Sequence, residues 1–114
     1  MQYALLTYSP AGDADRATRP ITDSLAALLA EPAVTGWARL HADGSATTVR
    51  DDEGRMLLTD GPFVESKEYL AGLILIEARN LDGALAIAAG LLRETRPGTA
   101  IEVRPVIEGR FRGA

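Results

Sequence analysis

Apolar and polar positions alternate with a period of two over Gln2–Tyr8, with Tyr3, Leu5 and Thr7 on one face and Ala4, Leu6 and Tyr8 on the other, which predicts a strand. The stretch Pro10 to Pro20 is polar and punctuated by Gly and Pro, so it reads as a loop. Ile21, Leu25, Leu28 and Leu29 form one helical stripe that Pro32 stops. Val34–His41 is extended, and Ala42-Asp43-Gly44 turns the chain. Thr47–Asp51 and Arg55–Thr59 flank Asp52-Glu53-Gly54 as a hairpin, and Asp60-Gly61-Pro62 is a further turn. Tyr69–Arg79 holds a long apolar strand around Leu73-Ile74-Leu75-Ile76. Asn80 is the expected N-cap of a second helix whose apolar face carries Leu81, Ala84, Leu85, Ala88, Leu91 and Leu92. Ile101–Ile107 closes the order as a last strand, and 109–114 is expected to be a frayed tail.

The order β-α-β, hairpin, β-α-β predicts one α+β domain over 1–114. Without the hairpin it is the split βαβ, ferredoxin-like plan, with two helices on one face of a mostly antiparallel sheet. Such a sheet usually turns polar residues to water on its second face. Here Gln2–Tyr8 and Leu73–Ala78 are apolar on both faces. That pattern predicts a second copy of the same sheet as the cover, giving a homodimeric α/β barrel with an enclosed interior.

Composition narrows the chemistry. The 114 residues carry 12 basic and 16 acidic side chains, a net charge of −4 that disfavours a nucleic-acid partner. With no Cys there is no disulfide framework or thiolate site, and one His excludes a multi-histidine metal centre within a chain. The motifs of phosphate cradles and hydrolase elbows are absent, so no cofactor and no metal are expected. No apolar run approaches the ~20 residues of a membrane span, and Met1–Tyr8 lacks the basic start of a signal peptide. A cytoplasmic protein without membrane contact is the expectation.

Candidate site residues fall in three places. On a regular strand Trp37, Arg39 and His41 share a face, offering an aromatic floor, a carboxylate clamp and an imidazole, the side chain suited to proton transfer near neutrality. Asp60 stands beside Gly61 and Pro62, a turn through which backbone could approach a ligand. Tyr3 could add a hydroxyl to a cleft wall. Lys67 is expected to pair with Glu65 or Asp60.

The string Asp60-Gly61-Pro62-Phe63, followed by Glu65, Lys67 and Glu68, together with Ala46–Arg50 and Glu102-Val103-Arg104-Pro105, resembles the YciI-related (YCII) domain family and its DGPF group. The resemblance runs from Met1 to about Val106. It implies a bacterial protein with a ferredoxin-like dimeric α+β barrel. Part of the wider family is credited with a His–Asp acid–base pair whose His lies on the first helix; Ile21–Glu31 contains none. The function expected is a homodimer that binds a small organic molecule in an interior cleft, with cofactor-free acid–base chemistry of isomerase, lyase or lactone-hydrolase type. Asp60 and His41 are the expected proton-transfer groups, Arg39 orients the ligand, and Trp37, Tyr3, Gly61 and Pro62 line it. The alternative is a non-catalytic interaction or regulatory protein, since many family members accompany extracytoplasmic-function sigma factors.

Overall fold

Each long run of β-branched and aliphatic residues becomes a strand. In the computed structural model, which describes residues 1–12 and 15–111, these are β1 (Gln2–Pro10), β2 (Val34–Arg39), β3 (Thr47–Asp52), β4 (Arg55–Asp60), β5 (Glu68–Glu77) and β6 (Ala100–Pro105). The two helices are α1 (Asp23–Leu29) and α2 (Leu81–Arg93). Four strands form one open sheet in the order β2-β5-β1-β6, every pair antiparallel, while β3 and β4 form a separate two-stranded sheet. The element and strand orders are compatible with the ferredoxin-like α+β plan.

Local chemistry sets the helix ends. The Thr22 side chain accepts the Leu25 N–H at 3.2 Å and starts α1 two residues after Ile21, so the predicted stripe begins outside the helix yet still packs on the core. Asn80 caps α2 as expected, its Oδ1 accepting the Gly83 N–H at 2.9 Å. Asn80→Ala should lower stability by about 1 kcal/mol, read as an earlier urea midpoint at unchanged slope. The face of α2 is narrower than its sequence predicts. Ala84, Ala88 and Leu91 are buried, whereas Leu81, Leu85 and Leu92 are exposed.

Register decides which residues share the core. Tyr3 pairs with Ile76, and Leu5 with Ile74, so these four point to the helices and pack with Leu29, Ala84, Ala88 and Leu91. The opposite face carries Leu6 against Leu73 and Ala4 against Leu75, both pairs only half-buried, with Glu102 and Arg104 ion-paired at the β6 side. Among the described residues no helix covers that face.

Between Thr7/Gly72 and Tyr8/Leu70 the β1–β5 register slips by one residue, leaving Ala71 as a bulge. Gly72, next to it, is obligatory. A Cβ there would stand 2.6 Å from the Ala38 carbonyl oxygen and 3.2 Å from Thr7 Oγ1.

The β3–β4 loop is two residues, Glu53 (φ 51°) and Gly54 (φ 85°), whose positive φ values are those of the hairpin turn that matches strand twist. The hairpin is therefore longer and tighter than the three-residue turn expected. Val49, Met56 and Leu58 share one of its faces and are exposed. The 109–114 tail falls partly outside the described residues. Lys67 makes no ion pair among the described residues; its carbonyl instead accepts the Ala11 N–H at 2.8 Å.

Candidate functional site

The bulge and the short helix α1 leave the end of the helix-covered face incompletely filled. Trp37 and Arg39 stand opposite Ile74 and Gly72, so the β2–β5 register turns them to that same face. There they line a cavity of about 950 Å³ with Thr7 of β1 and Gly72 of β5. Its apolar lining includes Leu25 and Leu29 of α1, Ile74 of β5 and Leu91 of α2. Volume and wall chemistry are those of a small-molecule site. The cavity lies between the sheet and helices of a single chain. The register thus turns Trp37 and Arg39 toward the helix side of their own sheet and away from its open face.

One cavity residue was not singled out from the sequence. Arg16 occupies a single 3-10 turn (Arg16–Thr18) and is the buried charged residue among the described residues, at 9% exposure. Its Nε donates to the Leu40 carbonyl at 2.6 Å and its Nη2 to the Ala71 carbonyl, which the bulge makes available and which also accepts the Leu40 N–H. The guanidinium lies 5.8 Å from the Tyr69 ring centroid, in cation–π range. Arg39 donates in turn to the Arg16 carbonyl at 3.1 Å. Arg19 and Arg96 also line the cavity, with Asp15 and Glu94 as acidic members.

A second cavity, of about 850 Å³, lies at the far end of β2 and is lined by His41, Phe63, Val64 and Tyr69. Tyr69 is 5% exposed and its hydroxyl has no hydrogen-bond partner among the described residues. β2 ends at Arg39, and the chain turns away after the Leu40–Ala71 bond. His41 is exposed there, and does not line the cavity of Trp37 and Arg39.

The remaining candidates separate. Tyr3 is a core residue, not a cleft wall, and is buried against the helices. Asp60 is the exposed last residue of β4, opposite Thr47, and lines neither cavity. Gly61 (φ 98°) makes the turn that follows, its N–H bonding the Ala46 carbonyl at 2.7 Å and its carbonyl accepting Thr48 Oγ1 at 2.7 Å. Pro62 lines the second cavity. Of the residues picked from the sequence, then, the fold brings Trp37 and Arg39 together, and separately His41 and Pro62. No group of three or more His, Asp or Glu side chains that could hold a metal ion occurs among the described residues. No helix among them is long and apolar enough to cross a membrane.

Arg16 and Tyr69 carry no sequence signal that would have marked them. An Arg in a polar Gly/Pro-rich loop reads as solvated, and Tyr69 reads as an ordinary strand aromatic.

A relative from Rhizobium meliloti (strain 1021), an uncharacterised protein, is 41% identical over 69 residues, which is 60% of this chain and 56% of the relative. The chain thus spans little more than half the length of that curated relative. The family model of the YCII-related domain matches residues 1–110, nearly the whole chain. On that match, the chain belongs to the YCII-related domain family.

Proposed function

We propose that this protein is a homodimer in which each chain binds a small organic molecule in the cavity lined by Trp37, Arg39 and Arg16. The observation that carries the reading is the cavity itself: about 950 Å³, lined by apolar side chains together with Arg16, Arg19, Arg39 and Arg96. That pairing of an apolar wall with a few polar groups is what fixes and orients a small ligand. Asp60 and His41 lie outside this cavity, so binding, and not proton transfer by that pair, is the function proposed here.

Surface area supports the homodimer. One chain exposes 8069 Å², against roughly 6,000 Å² for a compact monomer of its mass. The excess, on the order of 2,000 Å², is ample for a stable subunit interface. The hairpin exposes Val49, Met56 and Leu58, and a lone two-stranded hairpin is marginally stable unless something packs on it. A second sheet on the open face would give the dimeric barrel of the DGPF group. Light scattering should return twice 12.1 kDa. A particle of 12.1 kDa would contradict the dimer and favour a different protein, such as a sigma factor, as the cover of these surfaces.

Trp37 is the sole Trp of the chain, so its emission reports on the cavity directly. Titration with two probes of one shape, 3-phenylpropionate and 3-phenylpropionamide, should give a saturable change with at least one of them. Asp60→Asn and His41→Ala should leave that titration unchanged. No response to either probe would contradict the cavity assignment.

A further inference from the structure

The arginine side of the cavity has a feature that the general reading leaves unused. Arg16 is nine-tenths buried, and among the described residues no carboxylate pairs with it. Its guanidinium is held by two carbonyls, those of Leu40 and Ala71, and by the face of Tyr69. All three are neutral. A carbonyl satisfies an N–H but does not balance the charge, and a buried charge without a counterion is unfavourable. Two of the five N–H donors of the guanidinium are spent on these carbonyls, leaving three in a planar fork. The side chain is also fixed in place before any ligand arrives, because its two bonds tie it to the ends of β2 and the β5 bulge.

We propose, resting on the cavity reading above, that Arg16 is the anion anchor of the site and that the ligand is a small monocarboxylate with an apolar body. The free edge of the fork matches the two oxygens of one carboxylate. Leu25, Leu29, Ile74 and Leu91, which line the same cavity, take the hydrocarbon part, together with Trp37. Binding then supplies a counterion that the described residues do not. An inorganic oxyanion satisfies the fork but leaves the apolar wall wet, so it binds weakly. Tyr69 has a positioning role, holding the Arg16 plane through its ring.

The test compares 3-phenylpropionate, 3-phenylpropionamide and inorganic phosphate by Trp37 emission at fixed ionic strength. The carboxylate should bind at least tenfold more tightly than the amide and than phosphate. Arg16→Met should erase the carboxylate–amide difference while keeping the amide affinity. Arg16→Lys, which keeps the charge but lacks the fork, carries the test if Arg16→Met does not fold, and should weaken the carboxylate alone by several-fold. Equal affinity for carboxylate and amide, with both saturating, would overturn the anchor and leave the cavity reading standing. Phosphate binding as tightly as the carboxylate would overturn the apolar-body part. A response to none of the three would remove the cavity reading and the anchor with it.

Discussion

Ile76→Ala should destabilise the protein by about 3 kcal/mol, within the 2–5 kcal/mol seen when a fully buried Ile or Leu is cut to Ala. Ile76 is 0% exposed, sits in the central strand β5, and packs with Tyr3 and the helices. The neighbours on both sides are strands hydrogen-bonded in the sheet, so the site cannot collapse to fill the space. For a domain whose whole stability is on the order of 5–10 kcal/mol, such a loss is a large fraction. Urea unfolding should show an earlier midpoint with unchanged slope. A loss below 1 kcal/mol would mean that β5 is not the centre of the core.

The second large effect is at Gly72. Its missing Cβ is what lets β2 pass: an alanine methyl would meet the Ala38 carbonyl oxygen at 2.6 Å. That oxygen belongs to backbone paired in the sheet and cannot swing aside as a side chain would. The β2–β5 pair has to part instead, and Gly72→Ala should be destabilising by about 1–3 kcal/mol, the range of an overpacked core. Because Gly72 and Trp37 share the cavity lining, the same change should shift Trp37 emission. A variant that melts and fluoresces like the parent would contradict the described approach of the two strands. The pair Ile76→Ala and Gly72→Ala also differ in kind: the first removes contacts everywhere in the core, the second disturbs one edge beside the cavity.

Much of this architecture was legible in the sequence, for reasons that are physical. Period-two runs of aliphatic residues in Gln2–Tyr8 and around Leu73–Ile76 fold as the two central strands because alternation places Tyr3, Leu5, Ile74 and Ile76 together on the helix-covered face. The hairpin follows from Gly54 at a position of positive φ, and Asn80 caps α2 because its short side chain reaches the Gly83 amide. Trp37 and Arg39 do share a face, as alternation requires, and that face lines a cavity. The rest depends on contacts between distant segments. The bulge at Ala71 is set by how β1 meets β5, and no local pattern in Tyr69–Arg79 encodes it. Arg16 becomes buried only because that bulge and the end of β2 present two carbonyls 24 and 55 residues away in the chain. His41 departs from the face of Trp37 because β2 stops at Arg39, a strand end that tertiary pairing decides. The width of the α2 apolar face was overestimated for a similar reason: the sheet beneath covers only Ala84, Ala88 and Leu91 closely.

The hairpin and the open sheet face give the molecule its extended outline. Its radius of gyration is 15.5 Å, compared with about 13 Å for a compact domain of this length. Phe63, at 72% exposure, stands just beyond the hairpin with the Arg50 guanidinium 5.5 Å from its ring centroid. These exposed apolar groups lie on separate elements from the arginine cavity. If the proposed dimer forms through them, charge placed at Met56 or Leu58 should weaken it without touching Trp37.

The most direct test of the ligand site is amide and indole chemical-shift mapping of the intact protein with 3-phenylpropionate. Shifts confined to the Trp37 indole, Thr7, Gly72 and the Arg16 segment are the predicted result. Shifts centred on His41, Phe63 and Val64, with the Trp37 indole unmoved, would contradict it.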